Sequence, residues 1–383
     1  MSEAEKFMTK QNTNITPPEQ EAFTNKQLDL FRTFLCNGAI EHDRLSNAFD
    51  LWDSIPRYSV SRRAMDKARK VQGMLPLLKL DFHYKGTPFK AVIRPARIEE
   101  KDGTTKEYYP SANEELIEDA LRKIAADQQS GFFDKPNYRS GVIFTIHMLR
   151  EELKRRGHAR SYQEIILSLD ILSLSIIDIR TSEDKEIKDI SRSTYFPGLA
   201  AVSKHKLAED PHAKWLVQFH PLVTQAIDAL TYRQYNYAQM MSYRTQLARW
   251  LHKQLSLKYT FASITASFEM RYSTIKRDSG LLEGYGLERK AIAALDDAFE
   301  ELKGHMEVDS ETQDPAKKET RGPRVLMDLK KKEMRGPRGK LLEVVYTLIP
   351  SPDFVAQMKA ANKRQQLAEE KAVGATPAAL GRW

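Results

Sequence analysis

The 383-residue chain contains one cysteine, Cys36. No intramolecular disulfide can form, so a fold stapled by oxidised cysteines is excluded, as is a zinc site built on paired thiolates. Cys36 reads as an ordinary apolar filler in a protein kept in a reducing compartment. No apolar run approaches the ~20 residues that span a bilayer. The amino terminus, Met1-Ser2-Glu3-Ala4-Glu5, has neither the basic nor the apolar region of a signal peptide. The expectation is a cytoplasmic protein with no membrane partner.

Catalytic signatures are missing as well. The nine histidines include no His-x-His pair that would hold a divalent metal beside a nucleophilic tyrosine. There is no Gly-x4-Gly-Lys-Ser/Thr loop to cradle nucleotide phosphates. The expectation is a protein that is not an enzyme, carries no cofactor and no metal, and works by binding energy.

What is present points to a polyanion. Sixty Lys and Arg stand against 52 Asp and Glu, a formal charge of +8, so the positive excess has to be local to matter. Residues 145–179 spell a helix, a tight turn, a second helix and a strand. The first helix sets Met148, Leu149 and Leu153 on one face and ends in Lys154-Arg155-Arg156-Gly157, cations on the last turn followed by a terminating glycine. After Gly157-His158-Ala159-Arg160, the second opens on Ser161-Tyr162-Gln163-Glu164, a capping box, and turns Tyr162, Ile165, Ile166, Leu169 and Leu172 inward. Residues 175–180 alternate as a β-branched strand, with residues 215–219 expected as the hairpin partner across a polar excursion. The pattern is that of a winged helix. Arg160, Ser161 and Gln163 are its candidate DNA contacts.

The plan recurs downstream. Residues 237–259 carry apolar side chains at helical spacing and are expected as one long connecting helix. Residues 273–279 give a short helix with Lys276 and Arg277, and Gly280, Gly284 and Gly286 punctuate a turn. Residues 287–303 form a periodic second helix with Arg289 and Lys290 on its exposed first turn, where side chains of a recognition helix reach base edges. Residues 305–308 and 341–349 are expected as the strands of the second wing. Between them lies a local duplication: Lys318-Glu319-Thr320-Arg321-Gly322-Pro323-Arg324 recurs as Lys332-Glu333-Met334-Arg335-Gly336-Pro337-Arg338. Gly-Pro holding an Arg pair extended suits phosphate contact or a minor-groove arm, so Arg321, Arg324, Arg335 and Arg338 join the candidate DNA contacts; the competing reading is a flexible, solvated linker.

Ahead of the first unit, Ser61 to Lys70 is a basic helix that follows the aromatic stretch of residues 51–60, a setting for backbone contact or for a solvated face. Residues 78–98 alternate as strands of a small sheet, and residues 114–129 supply a leading helix. Gln27-Leu28-Asp29-Leu30-Phe31 is similar to the pentapeptide with which bacterial polymerases and repair proteins enter the apolar pocket of the sliding clamp. Its competing reading is one face of a packed amphipathic helix. The expected fold class is α+β, mostly helical, with two tandem winged-helix domains and a small N-terminal β-rich extension. The expected divisions are 1–40 (tail with the clamp-like motif), 41–109 (basic segment and β extension), 110–235 (first winged helix), 236–350 (long helix and second winged helix) and 351–383 (C-terminal helix and frayed tail).

Three stretches carry a family resemblance: residues 51–60, the run Tyr108-Tyr109-Pro110-Ser111-Ala112-Asn113-Glu114-Glu115-Leu116, and the block from Phe219-His220-Pro221-Leu222 to Arg249-Trp250-Leu251-His252. In these the chain resembles the RepA-type replication initiators of theta-replicating, broad-host-range bacterial plasmids of the IncW and IncU groups, and more loosely the TrfA and RepE initiators with their tandem winged helices. The resemblance implies binding of double-stranded DNA at directly repeated origin sequences (iterons), and opening of the duplex. It also implies contacts with the host sliding clamp, host initiator and replicative helicase, repression of its own promoter, and a homodimer in equilibrium with monomer in the bacterial cytoplasm. TrfA carries a clamp-like pentapeptide in the same relative place, whereas the duplicated Arg-Gly-Pro-Arg segment departs from the family pattern. The alternatives are a winged-helix transcription regulator and a helicase-loading adaptor.

Overall fold

The computed structural model describes residues 43–100, 102–126, 130–183, 186–202, 213–304 and 324–374. The fold is α+β, organised around two apolar cores. The larger gathers side chains from Ala48 to Met241 together with Ala368, and the smaller those from Tyr243 to Met358.

The first core begins with strand β1 (Leu45–Phe49), the short helix α1 (Asp50–Ser54) and helix α2 (Arg62–Gln72). The strands β2 (Leu78–Tyr84) and β3 (Thr87–Arg94) and the hairpin of β4 (Ala96–Glu99) and β5 (Thr105–Tyr108) lead into α3 (Ala112–Ala125). Strands β6 (Gly131–Asp134) and β7 (Arg139–Thr145) precede α4 (Ile146–Arg155) and α5 (Tyr162–Leu174). Both of these helices start where their caps dictate: Thr145 Oγ1 accepts from the Met148 amide at 3.1 Å, and Ser161 with Glu164 closes a capping box. Strands β8 (Ile176–Glu183), β9 (Glu186–Thr194), β10 (Gly198–Val202) and β11 (Lys214–Gln218), helix α6 (Pro221–Asp228) and strand β12 (Tyr232–Asn236) complete the unit.

Strand pairing corrects two expectations. β8 pairs with β9, its immediate successor, and not with residues 215–219. Closing a loop between neighbouring segments costs less chain entropy than closing one of some thirty residues. β11 instead lies between β7 and β10 in another sheet. The expected small N-terminal sheet is not separate either: β2 and β3 extend the β8–β9 hairpin into a four-stranded sheet ordered β2-β3-β8-β9. β1 pairs with β12, so the two ends of this unit close on each other.

The second core follows α7 (Tyr237–Ser242) and α8 (Gln246–Lys258). The single helix expected over residues 237–259 is broken at Tyr243, whose backbone is extended, because Thr245 caps α8 by accepting from the Ala248 amide at 3.2 Å. Glu301 from another helix accepts from the Arg244 amide at 2.6 Å and so holds the break. Next come β13 (Phe268–Arg271), α9 (Tyr272–Ser279), α10 (Glu288–Lys303), β14 (Leu326–Arg335), β15 (Leu341–Pro350) and α11 (Pro352–Gly374). The sheet order is β13-β15-β14. Residues 305–308, expected as a wing strand, lie outside the described residues, and among the described residues β15 pairs with β13 on one side and β14 on the other.

Two buried histidines make this fold sensitive to acid. His220 stacks on Trp52 with ring centroids 4.2 Å apart, and His252 lies against Tyr235 and Tyr243. Burial, helped by the Arg57 guanidinium at His220 and by the Lys253 ammonium at His252, pushes each imidazole down to about 3. The folded state therefore binds fewer protons than the unfolded chain between those values and the ordinary 6.5. Stability is full above 6.5 and falls as the pH drops toward about 3, at about 1.4 kcal/mol per pH unit for each fully neutral histidine. Asp119, pushed up to about 6 by burial against the counteracting Lys253 charge, acts in the opposite sense over part of the window. The difference between parent and variant isolates one histidine: His252→Phe flattens the dependence of the urea midpoint on pH between 6.5 and 4.5, and equal slopes for the two proteins count against it.

Candidate nucleic-acid interface

Each core carries a helix, a turn and a second helix, with an antiparallel hairpin close behind. In the first the units are α4, residues 156–161, α5 and the β8–β9 hairpin. In the second they are α9, residues 280–287, α10 and the β14–β15 hairpin. The two differ in what their second helix exposes.

α5 is apolar nearly all round. Ile165, Leu169, Ile171 and Leu172 are fully buried, Tyr162, Ile166 and Leu167 pack against the same core, and the helix lies between α3 and β4. A helix without a broad polar face is an internal element. Its cation is already engaged: Arg160 donates from Nε and one terminal nitrogen to Asn113 Oδ1 at 3.2 and 2.9 Å, and from the other to the Ala159 carbonyl at 2.9 Å. Ser161 is committed to the capping box. Gln163 is exposed, next to Glu164, whose carboxyl accepts from Ser161.

The second unit is arranged the other way. α9 ends at Gly280, whose φ of +63° is the left-handed conformation that glycine adopts without a side-chain clash, and its amide donates to the Lys276 carbonyl at 3.1 Å. α10 turns Ile292, Leu295, Phe299 and Leu302 into the core. That fixes Arg289 and Lys290 on the outer side of its first turn. Both are exposed, and no ion pair holds either among the described residues. Of the two cations of α9, Lys276 sits 3.8 Å from Glu288 at the start of α10, and Arg277 is drawn to Asp278 at 2.8 Å. Asp278 also accepts from the His83 amide of β2 at 3.2 Å, so Arg277 belongs to the joint between the units.

The β14–β15 hairpin places the second copy of the duplicated segment. Arg321 lies outside the described residues. Arg324 is at the base of the hairpin, its Cγ 3.0 Å from the position a Cβ would take on Gly304, and its carbonyl accepts from the Ser351 hydroxyl. Arg335 is clamped at the end of β14, donating to Glu333 at 2.6 Å and to the Gly339 carbonyl at 2.9 Å. Arg338 stands exposed in the connecting turn at a φ of +61°. The extended Arg-Gly-Pro-Arg arm expected from the sequence is therefore, in this copy, a strand end and a tight turn, because Arg335 and the Gly336 amide close the turn onto residues 339 and 340.

The register also brings up cations absent from the sequence-based candidates. Lys332 lies opposite Val345, which lies opposite Arg271 of β13; Lys330, Thr347 and Glu269 form the next row. Residues directly opposite share a face of the sheet, and the core side is taken by Val344, Tyr346 and Leu348. Lys330, Lys332 and Arg271 therefore stand outward, while Lys331 turns in to Asp296 at 2.7 Å. The run Lys330-Lys331-Lys332 was visible in the sequence, but the face each member takes was not.

No family model matches the chain, and no curated protein sequence matches it. Among solved structures the chain is similar to domains 2 and 3 of RctB. One such structure is 12% identical with a TM-score of 0.45, covering 73% of this chain and 92% of that one. Another is 13% identical with a TM-score of 0.41, covering 75% and 95%.

The exposed start of α10 yields a specific expectation. Arg289→Ala weakens binding to a preferred duplex by ~1 to 3 kcal/mol and relaxes the preference at one base position, while leaving the melting temperature unchanged. Equal losses on preferred and random duplexes, read by competition titration, would remove Arg289 from base recognition.

Proposed function

We propose that the chain is a replication initiator that binds directly repeated sequences at a plasmid origin through two winged helices, helps to open the duplex and recruits host replication proteins. The observation that carries this reading is the second helix-turn-helix unit, where Arg289 and Lys290 stand on the exposed first turn of α10, without an ion pair among the described residues, and a basic hairpin lies behind them. A helix start offering cations and amides, flanked by a strand pair with outward lysines, matches how winged helices combine base readout with phosphate contact. The reading is also supported by where the three stretches resembling plasmid initiators meet. Trp52 stacks on His220, Gln246 donates to the Tyr58 carbonyl at 3.1 Å and to Glu115 at 2.8 Å, and Lys253, next to the third stretch, pairs with Glu115 at 2.9 Å.

In this reading the protein is not an enzyme and uses no cofactor. Contacts with repeated sites offset the bending and unstacking of an AT-rich duplex, where bending alone costs about 1 to 6 kcal/mol. Autorepression, dimerisation and contacts with host initiator and helicase belong to the same proposal. Footprinting on the plasmid's own origin is the direct test: protection of several direct repeats supports an initiator, and protection of a lone palindrome supports a transcription regulator instead.

The clamp contact is assigned to Gln27, Leu28, Asp29, Leu30 and Phe31, which lie outside the described residues. A short peptide has few contacts to share the binding energy. Leu30→Ala with Phe31→Ala therefore abolishes capture by the sliding clamp and leaves the melting temperature and repeat binding as they were. A large drop in melting temperature, with no clamp capture by the parent protein, would identify these side chains as core packing.

A further inference from the structure

We infer that α2, and not α5, is the helix through which the first unit meets DNA, and that its outer face binds the phosphodiester backbone beside the site held by α10. The inference rests on the DNA-binding reading above and deepens it.

α2 is anchored by its inner side. Met65 is fully buried, the Arg62 guanidinium lies 4.7 Å from the centre of the Tyr108 ring and pairs with Glu114 at 2.7 Å, and Arg69 lies 5.2 Å from the same ring and donates to the Glu107 carbonyl. Two of the helix's cations are thus spent holding it to β5 and α3. That orientation leaves Arg63, Lys67 and Lys70, spaced i, i+4, i+7, as a stripe on the opposite side. All three are exposed and without an ion pair among the described residues, and the one acid of the helix, Asp66, is turned to Arg69. Three such cations on about 10 Å of rigid helix form a surface for successive phosphates, not for a single carboxylate.

The junction between the units determines which polyanion this stripe meets. Gly280, which opens the turn into α10, packs against the segment that opens α2: a Cβ there would lie 2.8 Å from Ser59 Cβ and 3.4 Å from Pro56 Cβ. Ser61, two residues beyond Ser59, is the N-cap of α2 and accepts from the Ala64 amide at 3.2 Å. The end of α9 therefore packs on the segment that opens α2, and one turn, residues 280–287, leads from that contact to the Arg289 and Lys290 of α10, so in the proposal a duplex seated on those two cations reaches α2 across this junction. α5 offers nothing equivalent: Arg160 ahead of it is tied to Asn113, and the helix itself carries no Lys or Arg. The rival occupant is an anionic membrane surface, since Val71 and Met74 are exposed at the far end of α2.

The test uses the full chain carrying Arg63→Gln, Lys67→Gln and Lys70→Gln, changes at exposed positions that keep helix propensity. Affinity for origin-repeat DNA and for a random duplex is measured against salt, with footprinting on the repeats. The expected result is a log-log salt slope shallower by ~0.9 for each phosphate that the variant no longer neutralises, up to ~2.7 for three. The footprint shortens at one end, and the preference for repeats over random DNA and the melting temperature are unchanged. A slope and footprint equal to those of a parent protein that does prefer repeats overturn the α2 proposal and leave the origin-binding reading standing. A parent with no preference for repeats, but whose salt-dependent binding to any duplex is weakened by the variant, does the reverse. Loss of binding to phosphatidylglycerol vesicles with DNA binding intact overturns it in favour of the membrane.

Discussion

A buried cluster of charges at the meeting point of the two cores fixes the geometry of everything else. Arg57 pairs with Asp53 at 3.0 Å and with Glu118 at 2.9 Å, and Arg122 pairs with the same two carboxylates at 2.9 and 2.5 Å. Lys253 of α8 pairs with Glu115 and Asp119 of α3 at 2.9 and 3.0 Å. None of these side chains is exposed to any useful extent. Burial would raise the Asp53 and Glu118 carboxyls, yet the guanidinium groups of Arg122 and Arg57 hold both below the usual carboxylate range. Asp53 and Glu118 are therefore ionised. Pairs of this kind are weak evidence of net stability, because dehydrating the charges offsets much of their attraction. Their effect is directional: removing one partner strands a buried charge, so α1, α3 and α8 are held in one relative placement.

From that placement the second unit is positioned on the first. Gln254 of α8 donates to the Asp53 carbonyl at 2.8 Å, Asp278 accepts from the His83 amide, and Gly280 lies on Ser59 without room for a side chain. On the other side, α11 runs back from the second core to the first, where Arg233 donates to Gln365 at 3.1 Å and Ala368 enters the larger core. Polar bonds and a helical strap thus secure a joint that neither apolar core covers by itself.

The two helix-turn-helix units share a plan and diverge in what they expose. In the first, the second helix gives most of its apolar side chains to the core and carries no Lys or Arg, and the strands ahead of it join its hairpin into a larger sheet. In the second, the corresponding helix starts with cations that no ion pair holds among the described residues, and the hairpin carries lysines outward.

Short-range physics was legible in the sequence, and long-range pairing was not. The starts of α4 and α5 follow from Thr145 and the Ser161–Glu164 box, and the ends of α9 and α10 from Gly280 and Gly304, groups that satisfy helix termini within a few residues. Apolar periodicity likewise marked the inner faces of α3 and α10. The sequence could not show that Glu115, Glu118 and Asp119, on what reads as the wet face of α3, are buried, because their partners Arg57 and Lys253 lie some sixty and some 130 positions away. Nor could it show that β8 chooses β9, that Arg160 and Arg277 are committed to Asn113 and Asp278, or which of Lys330, Lys331 and Lys332 faces outward. Those choices depend on which surfaces meet once both cores have formed. The identity and spacing of residues set the helices and the charge, whereas tertiary contact decided which charges remain available to a partner.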